Sequence, residues 1–111
     1  MGGDVLLMVL SALANPQRLR IMAELATGRR YVSDLARKVR LSRPLVHAHL
    51  ARLSAAGLVS SALELSADGK ATRYVEVSPF VLHLTPDRVA QAVRTLEVPC
   101  RRGSQAKEDT E

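Results

Sequence analysis

The segment Leu41-Ser42-Arg43-Pro44-Leu45-Val46-His47-Ala48-His49-Leu50-Ala51-Arg52-Leu53-Ser54-Ala55-Ala56-Gly57-Leu58-Val59 constrains this chain more than any other stretch, because it encodes a helix with two fixed ends and two unlike faces. Ser42 suits an N-cap, where its hydroxyl accepts a first-turn N–H. Pro44 fits the first turn, where its missing N–H would have no intrahelical partner. Gly57 suits the left-handed position that closes a helix. Between these ends Val46, Leu50 and Leu53 recur at helical spacing and face a core, whereas Arg43, His47 and Ala51 form a separate stripe that no core requires. Such a helix presents one side to be read against something outside its own fold.

Just upstream, Ser33-Asp34-Leu35-Ala36-Arg37-Lys38-Val39 reads as a short helix with Leu35, Ala36 and Val39 inward, and only Arg40, Leu41 and Ser42 separate the two. Two short helices joined by so tight a turn predict a helix-turn-helix, whose second member enters the DNA major groove. Charge points the same way. The 111 residues carry 16 Lys/Arg against 11 Asp/Glu, a formal net charge of +5. The excess lies in residues 1–57, where nine Lys/Arg face only Asp4, Glu24 and Asp34. A basic surface around a recognition helix is what phosphate neutralisation requires. A solvated charged face is the bland alternative.

This length predicts one domain, over residues 1–98, followed by a polar, charged tail at 99–111 that is expected to be disordered. The single Cys100 has no internal disulfide partner, which fits a reducing, cytoplasmic setting. The apolar run at 5–14 is shorter than a membrane span and lacks the basic flank of a signal peptide, so the chain is expected to be soluble and unprocessed, with no membrane partner. No nucleophile elbow, glycine-rich phosphate loop or metalloprotease helix is present. The chain is therefore expected not to be an enzyme, and the sequence shows no basic, partly buried environment to support a role for Cys100 as a reactive thiol.

The expected order of elements is mainly α with a β-hairpin, α-α-α-α-β-β-α. Asp4 is expected to cap a first helix over 5–14 that is apolar nearly all round and must be covered on every side. Asn15-Pro16 is an N-cap followed by a first-turn proline, opening a second helix with Leu19, Ile21, Met22 and Leu25 inward and Arg18, Arg20 and Glu24 outward. Residues 58–66 and 71–78 have strand character around Ala67-Asp68-Gly69-Lys70, a hairpin. Thr85-Pro86 opens a last helix striped by Val89, Ala92, Val93 and Leu96.

In this order the elements resemble the winged helix-turn-helix repressors of the ArsR/SmtB family. Leu13-Ala14-Asn15-Pro16-Gln17-Arg18-Leu19-Arg20-Ile21 is similar to the family's opening L-A-[DN]-P-x-R-L-x-I. Ser33-Asp34-Leu35-Ala36, Leu41-Ser42, Val46, His49-Leu50, Leu53, Ala56-Gly57-Leu58-Val59 and the wing from Asp68-Gly69-Lys70 to Tyr74 extend the likeness. The resemblance implies a homodimeric regulator of transcription, most simply a repressor, that binds an inverted-repeat operator in double-stranded DNA. Two departures stand out. Arg40 occupies a turn position where the family usually offers Gly. The family's thiolate metal ligands are replaced by Tyr31-Val32-Ser33, and the last helix offers Asp87 and Glu97 without any His, so neither a metal nor another cofactor is expected.

Within that reading, Ser42, Arg43, Pro44, His47 and His49 are the candidate DNA contacts of the recognition helix. Arg43 is placed for a bidentate contact to guanine, and His49 lies closer to the core-facing side. Arg37 and Lys38 address phosphates, and Lys70 and Arg73 on the hairpin position the duplex more than they read its sequence. Leu6, Leu7 and Leu10 of the first helix, with Val89, Val93 and Leu96 of the last, are the candidate dimer interface, because together they offer more apolar surface than one small domain leaves to water. The alternative function is a winged-helix module that docks another protein. The sequence names no effector ligand.

Overall fold

A computed structural model describes residues 2–65 and 67–97. The expected tail and Cys100 lie outside the described residues. Among the described residues, five helices, α1 (Gly3–Leu13), α2 (Pro16–Leu25), α3 (Val32–Val39), α4 (Arg43–Ala55) and α5 (Pro86–Val93), are joined by three strands, β1 (Arg30–Tyr31), β2 (Val59–Leu65) and β3 (Ala71–Val77). The strands form one antiparallel sheet in the order β1-β3-β2.

Three helices begin as the side chains dictate. The Asn15 carboxamide oxygen accepts the N–H groups of Gln17 and Arg18 at 2.8 and 3.1 Å, Ser42 Oγ accepts from Leu45 at 3.4 Å, and Thr85 Oγ1 accepts from Arg88 at 3.1 Å. Each cap is followed within two residues by a proline, whose fixed φ is already helical. The α1 start differs from expectation. Gly2 occupies the N-cap with no side-chain cap, and Asp4 sits inside the first turn, where its carboxylate accepts the Glu97 N–H at 3.1–3.2 Å.

The helix-turn-helix closes through two similar chain reversals. Arg40 adopts the left-handed conformation, φ 59°, ψ 46°, and the Leu41 N–H donates back to Ala36 O at 3.0 Å. Gly57 does the same after α4, φ 76°, with the Leu58 N–H donating to Leu53 O at 2.9 Å. Arg40 thus keeps the tight turn without glycine, at a strain of roughly 1–2 kcal/mol.

Val9, Ile21, Leu25, Leu35, Val46, Leu53, Leu58 and Val75 make one continuous core between α1–α4 and the hairpin. Two expectations about α2 are corrected. Leu19 is 53% exposed, whereas Arg18 is buried among the apolar residues. The inward face runs Arg18, Ile21, Leu25, because the last carbonyls of α1 need a donor that no apolar residue supplies. Arg18 Nε donates to Ala12 O at 2.6 Å.

The strand β1 has no counterpart in the expected order. It pairs Arg30 with Val75 and Tyr31 with Tyr74, tying the start of α3 to the hairpin. The Tyr31 and Tyr74 rings stack at 4.1 Å, Tyr74 Oη donates to Tyr31 Oη at 2.6 Å, and the Arg29 guanidinium lies 4.0 Å over the Tyr74 ring while pairing with Glu64 at 3.2 Å. The base of the hairpin is held from both sides, so its position relative to α3 and α4 is fixed.

At the opposite end α1 and α5 touch backbone to backbone. The Gly3 N–H donates to Thr95 Oγ1 at 2.9 Å. A Cβ at Gly3 would fall 2.2 Å from Ala92 O and 2.9 Å from Leu96 Cα, both backbone atoms. Gly3→Ala should therefore force the helices apart and destabilise the fold by about 1–3 kcal/mol, seen as a lower urea midpoint. An unchanged midpoint would mean that the contact is not tight in solution.

Candidate nucleic-acid interface

The α4 stripe faces the hairpin across an open groove of about 630 Å³. Arg43 and His47 line one wall, Lys70, Thr72 and Arg73 the other, with Ser33 of α3 at its end. Arg73 is held toward the helix by donating from Nη1 to Ser61 Oγ at 3.2 Å. A second recess along the same seam, about 250 Å³, again brings His47 and Arg73 together. Residues about thirty positions apart in sequence thus share one basic surface. It contains three permanent cations, hydroxyl donors and the exposed Leu63, and no carboxylate lines it. Such a surface attracts an anionic backbone and offers donors to base edges.

The remaining sequence-predicted residues divide. Ser42 and Pro44 shape the start of α4. Arg37 is exposed on α3 and pairs with Asp34 one turn before it. Lys38 lies between α2 and α3, beside Gln17 and Arg20, on a different recess from the groove. His49 sits about 200° round the helix from His47, half-buried against α2, where the Arg18 Nη1 donates to its Nδ1 at 3.1 Å. The ring is engaged inside the fold, on the core-facing side where it was expected, which corrects its inclusion among the candidate DNA contacts. Partial burial, with the facing guanidinium groups of Arg18 and then Arg52, holds its pKa below the ordinary imidazole value.

Sequence reasoning did not single out Thr72 and Leu63 as groove residues. The hairpin register pairs Leu63 with Arg73 and Glu64 with Thr72. The parity of Arg73 was therefore the available signal for Leu63, while Thr72 reaches the groove from the rim.

On the candidate dimer side, Leu7, Val89, Val93 and Leu96 are 38–57% exposed, with Val5 and Met8 beside them, and Leu10 is half-buried. Leu6 is corrected: it is 9% exposed and packs inside its own chain. Among the described residues no group of three or more His, Cys, Asp or Glu is arranged to hold a metal ion, and no helix is long and apolar enough to cross a membrane.

A short helix, a tight left-handed turn, a capped second helix and an antiparallel hairpin packed beside it define a winged helix-turn-helix DNA-binding domain. Comparison with known proteins agrees and is more specific. Residues 15–61 match the bacterial regulatory proteins of the arsR family. A curated HTH-type transcriptional regulator of Methanocaldococcus jannaschii is 37% identical over 73 residues, 66% of this chain and 76% of that protein. The crystal structure of NolR from Sinorhizobium fredii superposes with a TM-score of 0.58 at 33% identity, over 82% of this chain and 79% of that one. The homodimeric winged helix-turn-helix domain of a possible ArsR-family regulator from Mycobacterium bovis has the same fold, with a TM-score of 0.59 at 24% identity over 96% and 80% of the two chains. The chain belongs to the ArsR family and is a transcriptional regulator with a winged helix-turn-helix DNA-binding fold.

Proposed function

We propose that this regulator is a homodimeric repressor that binds an inverted-repeat operator through the groove between α4 and the hairpin. The observation that carries the reading is the convergence of Arg43, His47, Lys70 and Arg73 on one surface free of carboxylates. Arg43 and His47 read base edges, and Lys70 and Arg73 hold the flanking backbone. Arg37, at the exposed face of α3, adds a phosphate contact. The test is ionic strength. If both subunits together neutralise about six or more phosphates, operator affinity should fall about 1,000-fold or more between roughly 50 and 200 mM salt. A salt-insensitive affinity for some protein partner, with no DNA binding, would favour the docking-module reading.

The dimer is inferred from the exposed apolar face of α1 and α5, and the Mycobacterium bovis homodimer supports it. A two-fold pairing of this face would place two α4 helices on one duplex. Sedimentation should show a dimer at micromolar concentration, and Val93→Asp should yield monomer, because burying an unpaired carboxylate costs several kcal/mol. A monomer for the unaltered chain would contradict the assignment.

A further inference from the structure

The buried guanidinium of Arg18 joins three helices. It belongs to α2, donates to Ala12 O in the last turn of α1, and donates to His49 Nδ1 on α4. An arginine side chain has donors only, so Nδ1 must accept, and the proton of the neutral ring is on Nε2. We propose that Arg18 and His49 form a clamp that sets the angle of the recognition helix against α1, and that protonating His49 releases it and weakens operator binding. This rests on the reading of α4 as the helix that enters DNA. Arg18 and His49 are positioning residues: neither lies on the groove.

The surroundings of His49 fix the direction of the effect. From α2 the facing charge is Arg18, and from its own helix it is Arg52. The carboxylates of the packed elements are engaged elsewhere: Asp4 of α1 with the Glu97 N–H, Glu24 of α2 with Arg30, Asp34 of α3 with Arg37, and Glu64 of β2 with Arg29. A proton on Nδ1 would meet a donor already aimed at it and a second cation nearby, with no facing carboxylate to compensate. Below the ordinary imidazole value of about 6.5 the clamped form refuses a proton that a released form accepts, so acid favours release.

Asn at position 49 keeps an acceptor near the place of Nδ1 and cannot titrate. The ratio of operator affinities, unaltered protein against His49→Asn, cancels His47, His83 and every carboxylate common to both. At about pH 8 the two should agree within about twofold. Near pH 5.5 the unaltered protein should be about tenfold weaker than the variant. A ratio that stays constant across this range would overturn the clamp. If the variant does not fold, nitrogen NMR of the His49 ring in the unaltered protein decides: by reciprocity, operator binding must lower the His49 pKa, and an unchanged or raised value would sink the proposal. Absence of operator binding by the unaltered protein at pH 8 would instead overturn the DNA-binding reading beneath it.

Discussion

Replacing Arg43 by Ala should weaken binding to the selected operator by about 1–3 kcal/mol per half-site and relax the preference at one base pair. A two-fold dimer would carry the change twice, so the loss on the full operator should reach roughly 30-fold to about 20,000-fold. Lys70→Ala should fail differently: it weakens operator and scrambled duplex alike and flattens the salt dependence by about one phosphate for each subunit. The contrast follows from position. Arg43 starts α4, the element proposed to enter the major groove, whereas Lys70 sits beyond the hairpin turn at the rim. Equal losses on both duplexes for Arg43→Ala would show that the stripe holds the backbone without reading sequence.

The largest effect on stability should come from Arg18→Met. Replacing a buried charge by an apolar side chain is often neutral when both partners of an ion pair leave together. Here the partners remain. The Ala12 carbonyl and the His49 ring would stay in place without their donor, and each unsatisfied buried group costs about 1–3 kcal/mol. The expected loss is about 2–4 kcal/mol, measured by urea unfolding at fixed protein concentration. Arg18→Lys should recover only part of this, since one ammonium cannot reproduce the planar fork that spans two acceptors. A Met variant as stable as the parent would show that the guanidinium contributes no net stability.

Much of this architecture is legible in the sequence because its punctuation is strong. Asn15-Pro16, Ser42-Arg43-Pro44 and Thr85-Pro86 each combine a capping oxygen with a fixed φ, and all three begin helices. The inward faces of α3 and α4 follow from periodicity, with Leu35, Val46, Leu50 and Leu53 all buried. The groove was legible only in part. Arg43 and His47 share a stripe by helical spacing, and Lys70 and Arg73 flank a turn, but nothing local says that the two pairs face one another. Their approach depends on β1, and a two-residue strand has no alternation to detect. Its evidence is tertiary, in the Tyr31–Tyr74 stack and the backbone pairing of Arg30 with Val75.

The misread residues share a cause. Arg18 looks like a surface residue by type, yet its long stem crosses the core to reach a carbonyl whose need for a donor arises only once α1 has ended. His49 carries a histidine's functional suggestion, but its partner lies thirty-one positions away in sequence. Asp4 resembles a cap, and the chain uses it across the α1–α5 contact instead. Each is a polar side chain whose partner becomes definable only after the helices have packed.

Selection of bound sequences from random duplex DNA, at about 100 mM salt and pH 8, tests the central claim most directly. The account predicts enrichment of an inverted repeat whose half-sites are centred about one helical turn, roughly 34–36 Å, or a multiple of it apart. Recovery of no enriched sequence, or of a single half-site without symmetry, would contradict it.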